Sequence, residues 1–210
     1  MIPAPGGKTD LMISDRSYYL PPAHPTEIVL PSLGYVAING RGEPGGAAHR
    51  VAVDAIDTTL RTLKARARAR GQDFAIAKHE GLWWNDEGEL VPPARLSPYD
   101  WNWTMLVRLP EFVDATEVAA AAETSRTDRP WLNALADIRA TRLTEGRCVQ
   151  MLHVGPYADR PETMTALTDY MDARGLVMSG RHHEIYLSDP LRVSPARLRT
   201  VLRYPVVARH

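Results

Sequence analysis

A single cysteine, Cys148, is all the thiol in the chain, which excludes an internal disulfide framework and a multi-cysteine zinc site and suits a reducing, cytoplasmic setting. An excess of one charge is lacking too. The 25 Lys and Arg balance 25 Asp and Glu, so no broad field recruits DNA, RNA or an anionic membrane surface. No run of 18 or more apolar residues occurs and the first ten residues are polar, so neither a membrane span nor a signal-peptide core is expected. Two catalytic signatures are missing. Gly40-Arg41-Gly42-Glu43-Pro44-Gly45-Gly46 lacks the spacing of a phosphate-binding loop and no Gly-Lys-Ser/Thr follows, so it reads as a turn. There is no Gly-x-Ser-x-Gly elbow for a serine hydrolase. Pro3, Pro5, Pro21, Pro22, Pro25 and Pro31 exclude a helix or interior strand from residues 1–33, and with it a helix-turn-helix domain. That segment reads as an extended arm, with Tyr18, Tyr19 and Leu20 sticking to the body.

What is present is enough for a proper core. The 210 residues are 44% hydrophobic, which suits one domain or two intimately joined halves. Residues 34–39 read as a strand. Val51, Ala55, Ile56, Leu60 and Leu63 keep helical spacing through residues 47–70, with Gly71 as the stop. Strands follow at 74–84 and 101–109, separated by a polar loop. An alanine-rich helix over 113–124, capped by Asp114 or Thr116, and a helical turn from Pro130 read as a connector. The pattern then restarts: strand 147–154, turn Gly155-Pro156-Tyr157, helix 161–173 ended by Gly175, strand 181–188 and strand 198–207. His79-Glu80 in the first half is echoed by His183-Glu184 in the second. The expected fold is therefore α+β, a single domain over 34–207 made of two βαββ units (34–112 and 147–207) with pseudo-two-fold symmetry, a helical connector over 113–146 and a central ligand cleft.

The chemistry concentrates in Arg181-His182-His183-Glu184-Ile185-Tyr186-Leu187-Ser188-Asp189-Pro190. Carboxylate, phenol and hydroxyl alternate with Ile185 and Leu187, so Glu184 and Tyr186 project the same way, roughly 7 Å apart. In a cleft Glu184 acts as a general base on water; the plain structural reading is a carboxylate satisfied by a neighbouring hydrogen bond. Tyr186 positions that water, donates to an oxygen gaining charge, or serves as wall. Trp83, Trp84, Trp101 and Trp103 cluster on adjacent strands, one of each pair in the core and one in the cleft. Alternation puts Trp84 on the face of Glu80 and Trp83 on the other. Adjacent His182 and His183 point to opposite faces and cannot chelate together, so no metal site is expected.

Four stretches carry a family resemblance: Glu80-Gly81-Leu82-Trp83-Trp84, Val149-Gln150-Met151-Leu152-His153-Val154-Gly155-Pro156-Tyr157, His183 through Pro190, and Leu198 through Val206. Together they resemble the GyrI-like small-molecule-binding superfamily, and more narrowly its stand-alone branch, which includes the cyclopropanoid cyclopropyl hydrolases. The likeness spans residues 31–207. It implies a duplicated, SHS2-like βαββ fold and a cofactor-free hydrolase that opens a strained cyclopropane in DNA-alkylating natural products, a detoxifying or self-protecting role. Glu184 and Tyr186 match the implicated glutamate and tyrosine, and Trp83 and Trp84 the tryptophans. Glu80, Trp101, Trp103, His153 and Tyr157 are expected to join them around a small hydrophobic aromatic ligand, in a monomer or homodimer. The chain departs from the branch where the helix over 47–70 ends in arginines and alanines instead of tyrosines. The alternative is a module that binds or sequesters flat hydrophobic or cationic molecules unchanged. Under either reading the first half, with Glu80, Leu82 and Trp84, grips the ligand, and the second, with Glu184, Tyr186 and Ser188, performs any chemistry.

Overall fold

The computed structural model describes residues 7–85 and 101–209. Strand β1 runs from Thr26 to Arg41, eight residues ahead of the expected start at 34, and takes Pro31 within it. Its neighbour β4 accompanies it from Thr26 to Ala37, whereas β3 joins only at Tyr35. At Pro31 the ladder is one-sided, so the missing amide hydrogen costs little. The arm is correspondingly shorter and is not extended. It folds into two single turns, α1 (Leu11–Ser14) and α2 (Arg16–Tyr19), and buries Tyr18 and Tyr19 completely while Leu20 stays exposed.

Helix α3 (Ala47–Ala69) buries Ala52, Ala55, Ile56, Leu60, Leu63 and Ala67 on one face, and Gly71 after it takes φ +78°. β2 (His79–Trp84) is shorter than expected, because Phe74 only bridges to Thr9. β3 is Asn102–Arg108, and most of the polar loop between the two lies outside the described residues. Asp114 and Glu117 form a reciprocal capping box that starts α4 (Ala115–Asp128). The connector then ends in a strand: β4 spans Arg139–Val154, where 147 was expected. Its first half is polar and pairs on one side only with β1, so no apolar run announces it. Helix α5 (Arg160–Asp172), the short β5 (Leu176–Met178), β6 (His182–Tyr186) and β7 (Arg199–Ala208) complete the chain.

Every strand pairing is antiparallel, in the order β4-β1-β3-β2-β6-β7, and β7 pairs back onto β4. The six strands thus close into a barrel, which leaves no open edge among them. The first half contributes β1-β3-β2 and the second β4-β7-β6, meeting at β2–β6 and β1–β4. α3 packs over β1 and β3 with α4 against it, and α5 packs over β4 and β5. Helices α3 and α5 therefore stand on either side of the β2–β6 seam, and the strip of outer barrel wall between them is the candidate groove.

Register across that seam corrects the sequence echo. Glu80 lies opposite Ile185, and Gly81 lies opposite Glu184. Directly opposed residues share a face, and a one-residue slip exchanges faces. Glu80 is therefore inside the barrel with His183, while Glu184 faces the groove. The two His-Glu dipeptides therefore put their glutamates on opposite faces, and the residue directly across from Glu184 is Gly81.

Candidate ligand groove and the two buried glutamates

β6 puts His182, Glu184 and Tyr186 on the groove face and His183 and Ile185 on the inner one. Glu184 is fully buried. Both its carboxylate oxygens lie 2.5 Å from Nη1 of Arg160, and His182 Nε2 lies 3.0 Å from Oε1. Arg160 is the first residue of α5, and its Nε donates to the Tyr157 carbonyl at 3.0 Å while its guanidinium sits 4.9 Å from the Tyr157 ring. Burial by itself raises the pKa of Glu184. The Arg160 charge, then the hydrogen bonds of His182 and Tyr186, outweigh it and bring the group down to about 2. Burial pushes His182 down, so its neutral ring donates to the carboxylate. Burial and the neighbouring Glu184 push the Tyr186 phenol well up, so it stays a hydroxyl.

Trp83 supplies the flat floor. Its Nε1 donates to the Tyr186 hydroxyl at 3.0 Å, with the indole folded over Gly81. A Cβ at that position would stand 2.6 Å from Trp83 Nε1 and 3.1 Å from the Tyr186 oxygen, so only glycine permits the approach. From α3, His49 stacks on Trp83 with ring centroids 6.0 Å apart and meets Trp103 edge-on at 5.5 Å. Trp101 stands edge-on to Trp83 at 5.3 Å. Tyr157 meets Tyr186 edge-on at 6.3 Å and closes the α5 side. This face thus gathers one fixed anion, a neutral hydroxyl hydrogen-bonded to an indole, and a set of packed rings, with Glu184 and the three tryptophans buried.

The inner face holds a different assembly. Glu80 Oε2 accepts from the Tyr18 hydroxyl at 2.5 Å and lies 2.9 Å from His183 Nε2. His183 Nδ1 is 3.0 Å from Glu145 Oε1, and Arg203 Nη1 donates to Glu145 Oε2 at 3.4 Å. Arg203 is fixed further by Gln150 and by the Tyr18 carbonyl. Burial lowers the pKa of His183, but Glu145 and Glu80 on either side raise it to about 9. His183 is then a cation, and with Arg203 it balances the two carboxylates.

The sequence profile of the GyrI-like small-molecule-binding domain matches residues 24–207. The chain belongs to the GyrI-like family. Two solved structures from Listeria innocua share its fold over their whole length. One, described as an uncharacterized conserved protein, is 31% identical with a TM-score of 0.87 over 95% of this chain and 100% of its own. The other, described as a hydrolase, is 30% identical with a TM-score of 0.82 over the same shares. The C-terminal domain of EcmrR has the same fold at 10% identity, with a TM-score of 0.59 over 88% of this chain and 98% of its own. No curated protein matches the chain. No helix among the described residues is long and apolar enough to cross a membrane.

In this GyrI-like chain the groove gathers Glu184, Tyr186, Trp83, Trp101, Trp103 and Tyr157. Three residues expected beside them lie elsewhere. Glu80 belongs to the inner network. Trp84 points away from Trp83, packs near Leu82 and Leu143, and carries the Arg181 guanidinium 3.6 Å from its ring. His153 uses both nitrogens to pin the end of β4 to the start of α5, Nδ1 at 2.8 Å from the Thr163 hydroxyl and Nε2 at 3.1 Å from the Pro156 carbonyl. Of the two adjacent tryptophans, Trp83 and not Trp84 shares a face with Glu184 and Tyr186. Sequence reading overlooked Arg160, His49 and the pairing of His182 with Glu184. It also passed over Gly81, whose place inside a strand signals a close approach.

Proposed function

We propose that this GyrI-like protein is a hydrolase that opens a cyclopropane conjugated to a dienone in flat DNA-alkylating molecules, by adding water without a metal or organic cofactor. The observation that carries the reading is the shared outer face of β2 and β6, on which Trp83 donates to Tyr186 at 3.0 Å and Glu184 stands two residues from Tyr186, bound by Arg160 and His182. The 30% identical Listeria innocua structure described as a hydrolase supports an enzymatic role. The flat substrate lies along Trp83. Water attacks the ring methylene as the strained carbon–carbon bond breaks. The bonding pair flows through the dienone to its carbonyl oxygen, which takes up a proton and becomes a phenol, and the attacking water loses one. Atoms balance, and aromatization drives the step. A carboxylate with a pKa near 2 is a weak base, so Glu184 acts by orienting the water and stabilising positive charge as the carbon–oxygen bond forms. Tyr186 orients that carboxylate.

Purified protein incubated with a cyclopropyl-indoline alkylator should yield product heavier by one water. Glu184→Gln should slow this by about 10²- to 10³-fold. Equal rates for wild type and variant would end the assignment.

The firm hold of Arg160 on Glu184 favours a second reading, a module that binds flat molecules unchanged. Tryptophan quenching by such a ligand, followed by mass analysis of the recovered molecule, separates the two: unaltered ligand across a varied panel supports the module.

A further inference from the structure

Of the three groove tryptophans, two have their indole N–H satisfied. Trp83 donates to Tyr186, and Trp103 donates to the Gly42 carbonyl at 3.2 Å. Trp101 differs. It is only 7% exposed, its backbone carbonyl is held by the Gly42 amide at 2.9 Å, and its Nε1 has no hydrogen-bond partner among the described residues. Trp84 pairs with Asn102 at the last rung of the β2–β3 ladder, so Asn85 and Trp101 face each other one step further out. Both share the face of Trp83 and Trp103. Asn85 is only 6% exposed, and its side-chain oxygen also lacks a partner among the described residues. A buried donor and a buried acceptor thus lie just past the last rung of the β2–β3 ladder, each without a partner among the described residues. Native proteins rarely leave such groups unpaired without a use for them.

We infer that Asn85 and Trp101 form a hydrogen-bonding subsite for a ring amide, a lactam edge whose carbonyl accepts from the Trp101 indole and whose N–H donates to the Asn85 oxygen. A cis amide presents its acceptor and donor side by side, and the cross-strand pair offers their complements. A ligand anchored there lays its flat body along Trp83, which carries its far end toward Tyr186 and Glu184. The subsite therefore sets which atom of the ligand meets the carboxylate. This assignment rests on the groove being a ligand site, and it is independent of whether a ring is opened there.

Phenanthridinone and phenanthrene are flat tricycles that differ in the lactam, and neither has a cyclopropane. Equilibrium dialysis against wild-type protein should show tighter binding of phenanthridinone, by roughly three- to ten-fold for each bond formed. Trp101→Phe and Asn85→Leu should each lower the ratio of phenanthridinone to phenanthrene affinity, whatever the change in phenanthrene binding itself. N-methylphenanthridinone, which keeps the acceptor and loses the donor, should respond to Trp101→Phe and not to Asn85→Leu. If one variant fails to fold, the other carries the test. Equal binding of both tricycles by the wild type overturns the subsite and leaves the groove. A lactam preference that survives both substitutions also overturns it, as does an equal loss for both tricycles in Trp101→Phe, which would mean that Trp101 acts only as an apolar wall. Binding of neither tricycle overturns the subsite and the groove together.

Discussion

Glu80 and Glu184 are both completely buried, both bonded to a histidine of β6, and only one position out of step across the seam. They end in opposite situations. Inside the barrel two carboxylates surround His183 and hold it protonated. On the groove face one carboxylate is already claimed by Arg160, and His182 stays neutral. Neighbouring histidines of one strand thus differ in charge because of which groups share their face. The inner network is balanced and enclosed, and it holds the fold together. The outer one lies among packed rings between α3 and α5, and it is the one the proposed function uses.

The sharpest way to break this comparison is to neutralise each glutamate in turn. Glu184→Gln should lower kcat by about 10²- to 10³-fold with binding of flat ligands nearly intact. Glu80→Gln should leave kcat per folded molecule unchanged and lower the melting temperature instead. If Glu80→Gln abolishes turnover and Glu184→Gln does not, the roles of the two faces are reversed.

Removing a cation from the inner network comes next. Arg203→Met leaves Glu80 and Glu145 with His183 as their only buried counter-charge, and it should cost about 3–5 kcal/mol of stability in denaturant titration. The loss should be smaller for Arg160→Met, because Arg160 is 20% exposed and Glu184 keeps His182.

Stability against pH should separate the faces by sign. The folded pKa of His183, about 9, lies above its ordinary 6.5. Its contribution is whole below pH 6.5 and is lost as pH rises through about 9, of the order of 3 kcal/mol in all. For Glu184 the folded value of about 2 lies below its ordinary 4.5, so its contribution is whole above pH 4.5 and is lost as pH falls toward 2. Urea midpoints between pH 6 and roughly 9.5 should fall for wild type and flatten in Glu145→Gln, which removes one of the carboxylates that hold His183 charged.

The smallest effect compares the two tyrosines. Tyr18→Phe removes a hydrogen bond to a buried carboxylate and should cost roughly 1.5–3 kcal/mol of stability without touching kcat. Tyr186→Phe should change turnover more than melting. Equal stability losses with no change in turnover would place Tyr186 among the wall residues.

Much of this was legible beforehand. The alternation of Glu184, Ile185 and Tyr186 fixed which residues share a face, because strand period depends on nothing beyond the chain itself. The same rule separated Trp83 from Trp84. Helix α3 was readable from the spacing of Ala55, Ile56, Leu60 and Leu63, and the family from motifs spread over both halves. The first half of β4 was not, since a one-sided polar ribbon carries no apolar signature, and the start of β1 was hidden by Pro31.

What only the tertiary structure decided was which face of each strand is inside. A dipeptide echo fixes similarity but not register, and one residue of slip sent Glu80 into the barrel and left Glu184 in the groove. Nor could local pattern say that Tyr18, 62 residues before Glu80, would bond to it, or that Arg160 at the head of α5 would bond to Glu184. The sequence determined the chemistry available on each strand. The closing of β7 onto β4 and the placing of α3 and α5 on either side of the seam determined which of those groups meet, because charge state and hydrogen bonding depend on neighbours in space.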